Sequence, residues 1–242
     1  MREVASPSPE AVQPKTLAVS ELFESIQGEG PSAGVPCTIL RLAGCNLSCS
    51  WCDTAYAWDF SRFERAQEVV SMTLDAVQAY VACSTHLLLV ITGGEPLLQQ
   101  DALAELVQRL PGSLRIEIET NGTVAPCEYL SQRVDQWNVS PKLGNSGEPM
   151  ARRWNPTALR VLRDTERAWL KFVVDTSRDL EEADACFRMW GWRRDRVMLM
   201  PCAATSEGLR ERGAWIAEAC VRRDWRFSSR LQVELWPGKR GV

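Results

Sequence analysis

The chain reads as an α/β protein built on a mainly parallel sheet, curled into a partial (βα)6-type barrel. Three observations carry this. Short apolar or β-branched runs (CTILRL at 37–42, HLLLVIT at 86–92, LRIEIE at 114–119) alternate with amphipathic stretches. Strands spaced by helices of that length need crossover connections, and these make neighbouring strands parallel. The most distinctive residues fall at strand C-termini: Gly93-Gly94-Glu95, Glu119-Thr120-Asn121-Gly122 and Ser140-Pro141-Lys142. That is the end where such barrels gather their chemistry. About six strands are too few to close an eight-stranded barrel.

Taken in order, residues 1–16 are proline-rich and aperiodic, which predicts a flexible tail before a single domain over 17–242, with structure starting near Val19. The strand at 37–42 leads into an irregular segment at 45–60. Periodicity predicts a helix over 74–83 with Thr73 as its cap, then a buried strand opened by His86 and stopped by Gly93-Gly94. A helix over 96–110 and strands at 114–119 and 136–139 follow. Residues 143–156 read as an ordered but irregular excursion. The remainder is predicted as helix 155–164, strand 168–174, helix 180–190, strand 196–200, helix 206–223 and a last strand at 231–236.

Composition narrows the function classes. The chain has 242 residues, 45% hydrophobic and 24% charged, ordinary for a globular protein able to bury a core without disulfides. A net charge of −3 argues against a broad electrostatic grip on nucleic acid. A single histidine, His86, argues against a His-based catalyst and reads as structural. No apolar run approaches the roughly 18 residues of a membrane span, and the N-terminus lacks the apolar stretch of a secretory signal. Nine cysteines, an odd number, then point to reduced thiols and a cytoplasmic protein. Six of them (Cys37, Cys83, Cys127, Cys186, Cys202 and Cys220) are scattered and read as core filling.

The other three, Cys45, Cys49 and Cys52, form a C-x3-C-x2-C loop. Three thiolates on one short loop can converge on one inorganic centre. A closed zinc site needs a fourth ligand, for which Cys37 is the nearest cysteine. A four-iron cluster held by three thiolates leaves one iron open to an exogenous ligand.

Trp51 stands just before the last cysteine, and Gly93-Gly94-Glu95-Pro96 ends a strand about 40 residues on. On these motifs the chain resembles the radical S-adenosylmethionine enzymes. Ile26-Gln27-Gly28-Glu29-Gly30, Arg41, Asp53-Thr54, Thr92, Glu119–Thr123 and Ser140-Pro141-Lys142 narrow the resemblance to the 7-carboxy-7-deazaguanine synthase family, from about residue 19 to the C-terminus. The resemblance implies a radical SAM barrel and a lyase. Its reaction turns 6-carboxy-5,6,7,8-tetrahydropterin into 7-carboxy-7-deazaguanine with loss of ammonia, in 7-deazapurine (queuosine-type) biosynthesis.

By the same resemblance Cys45, Cys49 and Cys52 ligate a [4Fe-4S] cluster and Thr54 a Mg2+ ion. Trp51, Cys52, Asp53, Gly93, Gly94, Glu95, Glu119, Ser140, Pro141 and Lys142 face S-adenosylmethionine, with Thr120 and Asn121 in the same pocket. Ile26, Gln27, Gly28, Glu29, Arg41 and Thr92 face the pterin. An electron donor such as flavodoxin or ferredoxin is implied, a homodimer is admitted, and neither nucleic acid nor membrane is a partner. No catalytic side chain is implied beyond these ligands. Two places depart from the family: Met200-Pro201 lacks a glutamine that many members carry, and the basic end at 235–242 reads as a solvated tail. The competing readings are a glycyl-radical-enzyme activase, a non-enzymatic iron–sulfur electron carrier and a zinc-stabilised RNA-binding module. The Gln-Gly-Glu-Gly and Cys-Asp-Thr stretches favour the small-molecule enzyme over the activase; an electron carrier would need four protein ligands and no cofactor pocket, and the acidic balance and single histidine weigh against the RNA-binding module.

Overall fold

The computed structural model describes residues 15–242, so most of the expected N-terminal tail lies outside the described residues. One sheet runs through the described residues in the order β3-β1-β2-β4-β5-β6-β7-β8-β9. Its strands are β1 (Thr16–Ile26), β2 (Pro36–Leu42), β3 (Val70–Thr73), β4 (Leu88–Gly93), β5 (Arg115–Thr120), β6 (Gln136–Val139), β7 (Ala168–Val174), β8 (Val197–Pro201) and β9 (Arg226–Phe227). β2 and β4–β9 are parallel, while β1 pairs antiparallel with both β2 and β3. The sheet is open: β3 and β9 are its two edges.

Side-chain parity decides what the sheet encloses. Outward residues of the parallel strands, among them Leu40, Leu89, Ile91, Ile116, Ile118, Trp137, Phe172 and Leu199, pack with the flanking helices into one large core. Inward residues are of another kind. Glu117, Gln136, Asn138 and Lys171 are buried polar groups, and Cys37, Ile39, Leu88 and Val90 form a small separate apolar cluster. β7 is buried along its whole length because both faces are covered, as expected for a strand inside a parallel sheet.

The helices start where their caps allow. Thr73 accepts a hydrogen bond from the Ala76 amide and opens helix Leu74–Cys83. Asn155 accepts from Thr157 and Ala158 to open helix Pro156–Asp164. The segment after Glu95 begins as a 3-10 turn over Pro96–Gln99 before the helix Gln100–Arg109. Helix Ser177–Trp190 starts earlier than its periodicity suggests, because Thr176 and Asp179 make a capping box.

Several expectations are corrected. Among the described residues the first strand already runs from Thr16, eleven residues long, rather than from near Val19. β3 and β9, four and two residues long, were not expected as strands. His86 and Leu87 precede β4, and Leu87 is exposed rather than buried. The expected last strand is instead a helix, Leu231–Leu235. Alternation in LQVEL suggested a strand, but five residues cannot separate the two periods, and Leu235 is exposed while Val233 is buried. Among the scattered cysteines, Cys37, Cys186 and Cys220 are buried as expected, whereas Cys83 is exposed.

Phe172 is fully buried on the outward face of β7, away from the sheet interior. Phe172→Ala is expected to lower the unfolding free energy by about 3–5 kcal/mol, the usual cost of an aromatic-sized cavity. Denaturant unfolding should show this as a lower midpoint with an unchanged slope.

Candidate functional site

A cavity of about 810 Å³ lies at the C-terminal ends of the parallel strands. Its wall brings together Ile26, Gln27, Gly28, Glu29, Arg41, Cys45, Cys49, Trp51, Cys52, Asp53, Thr54, Thr92, Gly93, Gly94, Glu119, Thr120, Asn121, Ser140 and Lys142. Two residues expected there, Glu95 and Pro141, are not part of the wall. Glu95 is fully buried and accepts hydrogen bonds from the amides of Leu97 and Asn121 and from the Thr120 hydroxyl. Burial raises its pKa, against the pull of those donors. It staples the end of β4 to the end of β5.

The cysteine loop is set by close backbone packing. The Gly94 amide donates to the Leu42 carbonyl at 3.1 Å and the Glu95 amide to the Gly44 carbonyl at 2.8 Å. A Cβ on Gly94 would collide with the Gly44 carbonyl and with Cys45, so only glycine lets the two strand ends meet. Asn121 donates to the Asn46 side chain at 3.0 Å, and Asn46 donates to Thr123 at 2.7 Å. The sulfurs receive N–H donors of their own: the Leu47 amide at 3.4 Å on Cys45 and the Trp58 indole at 3.2 Å on Cys52. Trp51 donates to Asn145 at 3.2 Å, and the Lys142 ammonium lies 5.3 Å from its ring centre.

Burial pushes the Cys45 thiol up to about 11 and raises Cys49 as well. Any metal they ligate would therefore have to displace their protons. No three His, Cys, Asp or Glu side chains among the described residues converge as ligands of a single ion. A cubic cluster does not ask this of its cysteines, because each thiolate ligates a different iron. Cys37 is outside the cavity wall, within an apolar cluster with Ile39, Leu88 and Val90. That placement, away from the three loop thiols, argues against Cys37 as a fourth ligand for a zinc knuckle.

Across the cavity, polar groups form a connected array. Gln27 donates to Glu119 at 3.2 Å, and the Thr92 hydroxyl donates to the other Glu119 oxygen at 2.8 Å. Arg41 meets Glu21 through Nε at 2.6 Å, and Tyr56 donates to the same Glu21 oxygen at 2.8 Å. Thr54 Oγ1 lies 3.6 Å from Cys52 Sγ.

Glu29 anchors the densest group of charges. Its carboxylate receives Lys171 Nζ at 2.5 Å, Arg230 Nε at 2.9 Å and the Gln232 amide at 2.9 Å. Arg230 continues to Asp53 in the cysteine loop and to the Ala203 carbonyl at 2.6 Å. Burial alone would raise Glu29, but the charges of Lys171 and Arg230 reverse this and hold it well below the usual carboxylate range.

Lys171, Arg230, Gln232, Asn138 and Tyr56 also line the cavity, and none was picked out from sequence. Lys171 carried a usable signal, being the one charge in the apolar run AWLKFVV. Arg230 sat at the edge of a segment read as a strand. The C-terminal residues are likewise not a free tail. Trp236, Lys239, Arg240 and Val242 border the cavity, and Arg240 stacks 3.5 Å from the Tyr56 ring centre while pairing with Glu68 at 2.6 Å.

Glu29→Gln would leave Lys171 and Arg230 buried without their shared anion. Breaking a buried pair from one side costs about 3–5 kcal/mol. Because the folded-state pKa is depressed below the ordinary 4.5, the stabilisation is complete above that value and lost only as pH falls through the lower folded value. Urea unfolding at neutral pH should show the deficit, and the gap to the parent protein should close only in strong acid. Equal stability at neutral pH would mean that the carboxylate is dispensable.

Comparison with known proteins agrees with this geometry. Residues 26–133 match the family described as "4Fe-4S single cluster domain". The 7-carboxy-7-deazaguanine synthase of Pyrobaculum aerophilum is 38% identical over 228 residues, covering 93% of this chain and 97% of that protein. The enzyme of the same name from Hyperthermus butylicus is 36% identical, covering 90% and 92%. Among solved structures, QueE from Escherichia coli aligns with a TM-score of 0.67 at 28% identity, over 89% of this chain and 94% of that one. Streptococcus suis SuiB, solved with its precursor peptide SuiA, shares the fold alone, with a TM-score of 0.56 at 13% identity. With its parallel sheet, its cysteine loop and relatives of this identity over nearly its whole length, the chain belongs to the 7-carboxy-7-deazaguanine synthase family.

Proposed function

We propose that the protein is a radical S-adenosylmethionine lyase that converts 6-carboxy-5,6,7,8-tetrahydropterin to 7-carboxy-7-deazaguanine with loss of ammonia, in queuosine-type biosynthesis. The observation that carries this reading is a single cavity wall. It holds the three loop thiols, the Gly93-Gly94 strand end and the Arg41 guanidinium together. When bound, a [4Fe-4S] cluster and S-adenosylmethionine supply a carbon-centred radical that removes a substrate hydrogen.

The chain's own residues bind, orient and enclose. Cys45, Cys49 and Cys52 hold the cluster, and Gly94 lets backbone come close to the cofactor. Trp51, braced by Asn145 and Lys142, borders the cofactor side with Asp53 and Ser140. Pro141 and Glu95 act there by positioning their neighbours. The array of Gln27, Thr92 and Glu119 offers donors and acceptors to a pterin edge, with Ile26, Gly28 and Glu29 shaping the same wall. Among the described residues Arg41 engages protein through Nε alone, so its Nη groups can receive a substrate carboxylate as a planar fork. Thr54 would offer a neutral oxygen to a Mg2+ ion, a hard cation that takes oxygen ligands. The reducing electron comes from a flavodoxin- or ferredoxin-like carrier. An electron carrier alone would need four protein ligands, and the cysteine loop supplies three.

The test is anaerobic reconstitution with iron and sulfide, then incubation with the carboxy-tetrahydropterin, S-adenosylmethionine and a reductant. Appearance of 7-carboxy-7-deazaguanine is expected, with loss of turnover in each Cys→Ala variant of the loop and slower turnover when Mg2+ is chelated. Uptake of stoichiometric zinc with no product would overturn the reading.

Arg41→Lys keeps the charge and loses the fork. Loss of one charge-assisted hydrogen bond costs about 1.5–3 kcal/mol, so substrate affinity should fall on the order of ten- to a hundredfold with iron content unchanged. Uncoupled release of 5′-deoxyadenosine should rise as the substrate sits less well. Parent-like values for both would make Arg41 a structural residue.

A further inference from the structure

The irregular segment at 143–156, which no family motif claims, braces the cysteine loop. The Ser50 amide donates to the Ser146 carbonyl at 2.9 Å, Trp51 donates to Asn145, and Arg152 Nη2 reaches the Asn46 carbonyl at 2.7 Å. Glu148 makes the most intimate contact. One of its oxygens accepts both the Ser48 amide at 2.5 Å and the Ser48 hydroxyl at 2.7 Å, on the residue directly before Cys49. Its other oxygen is buried without a hydrogen bond and has only Arg152 Nη1 at 3.4 Å, whose side chain is 56% exposed.

We propose that Glu148 is a positioning residue for the cysteine loop and that its fixed negative charge lowers the reduction potential of the cluster bound there. This rests on the reading that Cys45, Cys49 and Cys52 hold a [4Fe-4S] cluster. Burial works against the Glu148 charge, but the Ser48 donors and Arg152 outweigh it and keep the carboxylate ionised. A buried anion is screened little by solvent. One electron arriving from a low-potential flavin or iron–sulfur carrier adds negative charge to the cluster and breaks no bond. A carboxylate held beside the loop opposes that addition, because net charge and hydrogen bonding around a cluster set its potential. Arg152 works the other way, more weakly because it is exposed to water and salt.

Two substitutions separate charge from shape. Glu148→Gln retains an oxygen for Ser48 and removes the charge, while Arg152→Gln removes the partly compensating cation. Both are made in the full chain, reconstituted anaerobically, and titrated against mediators with spectroscopic detection of the reduced cluster. Glu148→Gln is expected to keep its iron and sulfide and to raise the reduced-to-oxidised ratio at fixed poise by about tenfold, equivalent to about 59 mV for a one-electron couple. Arg152→Gln is expected to shift the midpoint downward by less. An unchanged midpoint in a cluster-replete Glu148→Gln protein overturns the proposal. If Glu148→Gln fails to hold a cluster, an unchanged or raised midpoint in Arg152→Gln overturns it. Failure of the parent chain to take up a cluster would instead overturn the functional reading on which this rests.

Discussion

Glu29 sits in the wall of the cavity with Lys171 on one oxygen and Arg230 on the other. Charges withdrawn from water need partners in good geometry, or they cost more than they contribute. That demand fixes the mutual placement of segments far apart in sequence: the β1–β2 loop that bears Glu29, the middle of β7, the residue before the last helix and, through Asp53, the cysteine loop. The last helix follows from it. The Leu231 amide donates to the Gly28 carbonyl at 3.0 Å, and a Cβ on Gly28 would strike the Gln232 side chain. Glycine here leaves room for the Gln232 side chain, on the helix that directly follows Arg230.

The same logic extends down the sheet interior. Glu117 is fully buried and receives Ser32 at 2.5 Å, Arg115 at 2.7 Å and Gln136 at 3.0 Å. Burial raises its pKa, although those partners pull the other way. A floor of satisfied polar groups has a consequence for register. Slipping one strand by a single residue would turn Glu117 or Lys171 into the apolar layer beneath the helices and bring Ile118 or Phe172 inside. The polar interior thus penalises wrong pairings. The open end above the floor stays available for a polar ligand.

Much of this was legible from the chain alone, and the limits have physical causes. Strands β6 and β7 and helix Ser206–Arg223 were read with their true bounds; β6 alternates polar and apolar residues, and β7 is a continuous apolar run of strand length. The cysteine loop was legible because its ligand spacing lies within a few residues, whereas Gly93-Gly94 and Gln27-Gly28-Glu29 stood out only through their resemblance to a family's motifs. Lys171, Arg230 and Glu148 were not legible. Their partners stand 142, 201 and 100 residues away, and no spacing rule reaches so far. Reading LQVEL as a strand failed for a related reason, since tertiary docking of that segment through Arg230 and Gln232 overrides a period seen over only five residues.

The C-terminal residues show what such long-range pairing does for the cavity. Arg240 could compete with Arg41 for Glu21, yet its Nη2 goes to Glu68 at 2.6 Å while its Nε stays 3.5 Å from Glu21. Glu21 is therefore left chiefly to Arg41 and Tyr56. With Nε pinned, the Arg41 side chain has already lost most of its rotamer freedom. Ordering a long side chain at a binding site costs about 0.5–1.5 kcal/mol, and here that cost falls on folding instead. The tail that borders the cavity thus acts on its chemistry at one remove: by taking Glu68 as its own partner, it leaves Glu21 to hold the guanidinium in place.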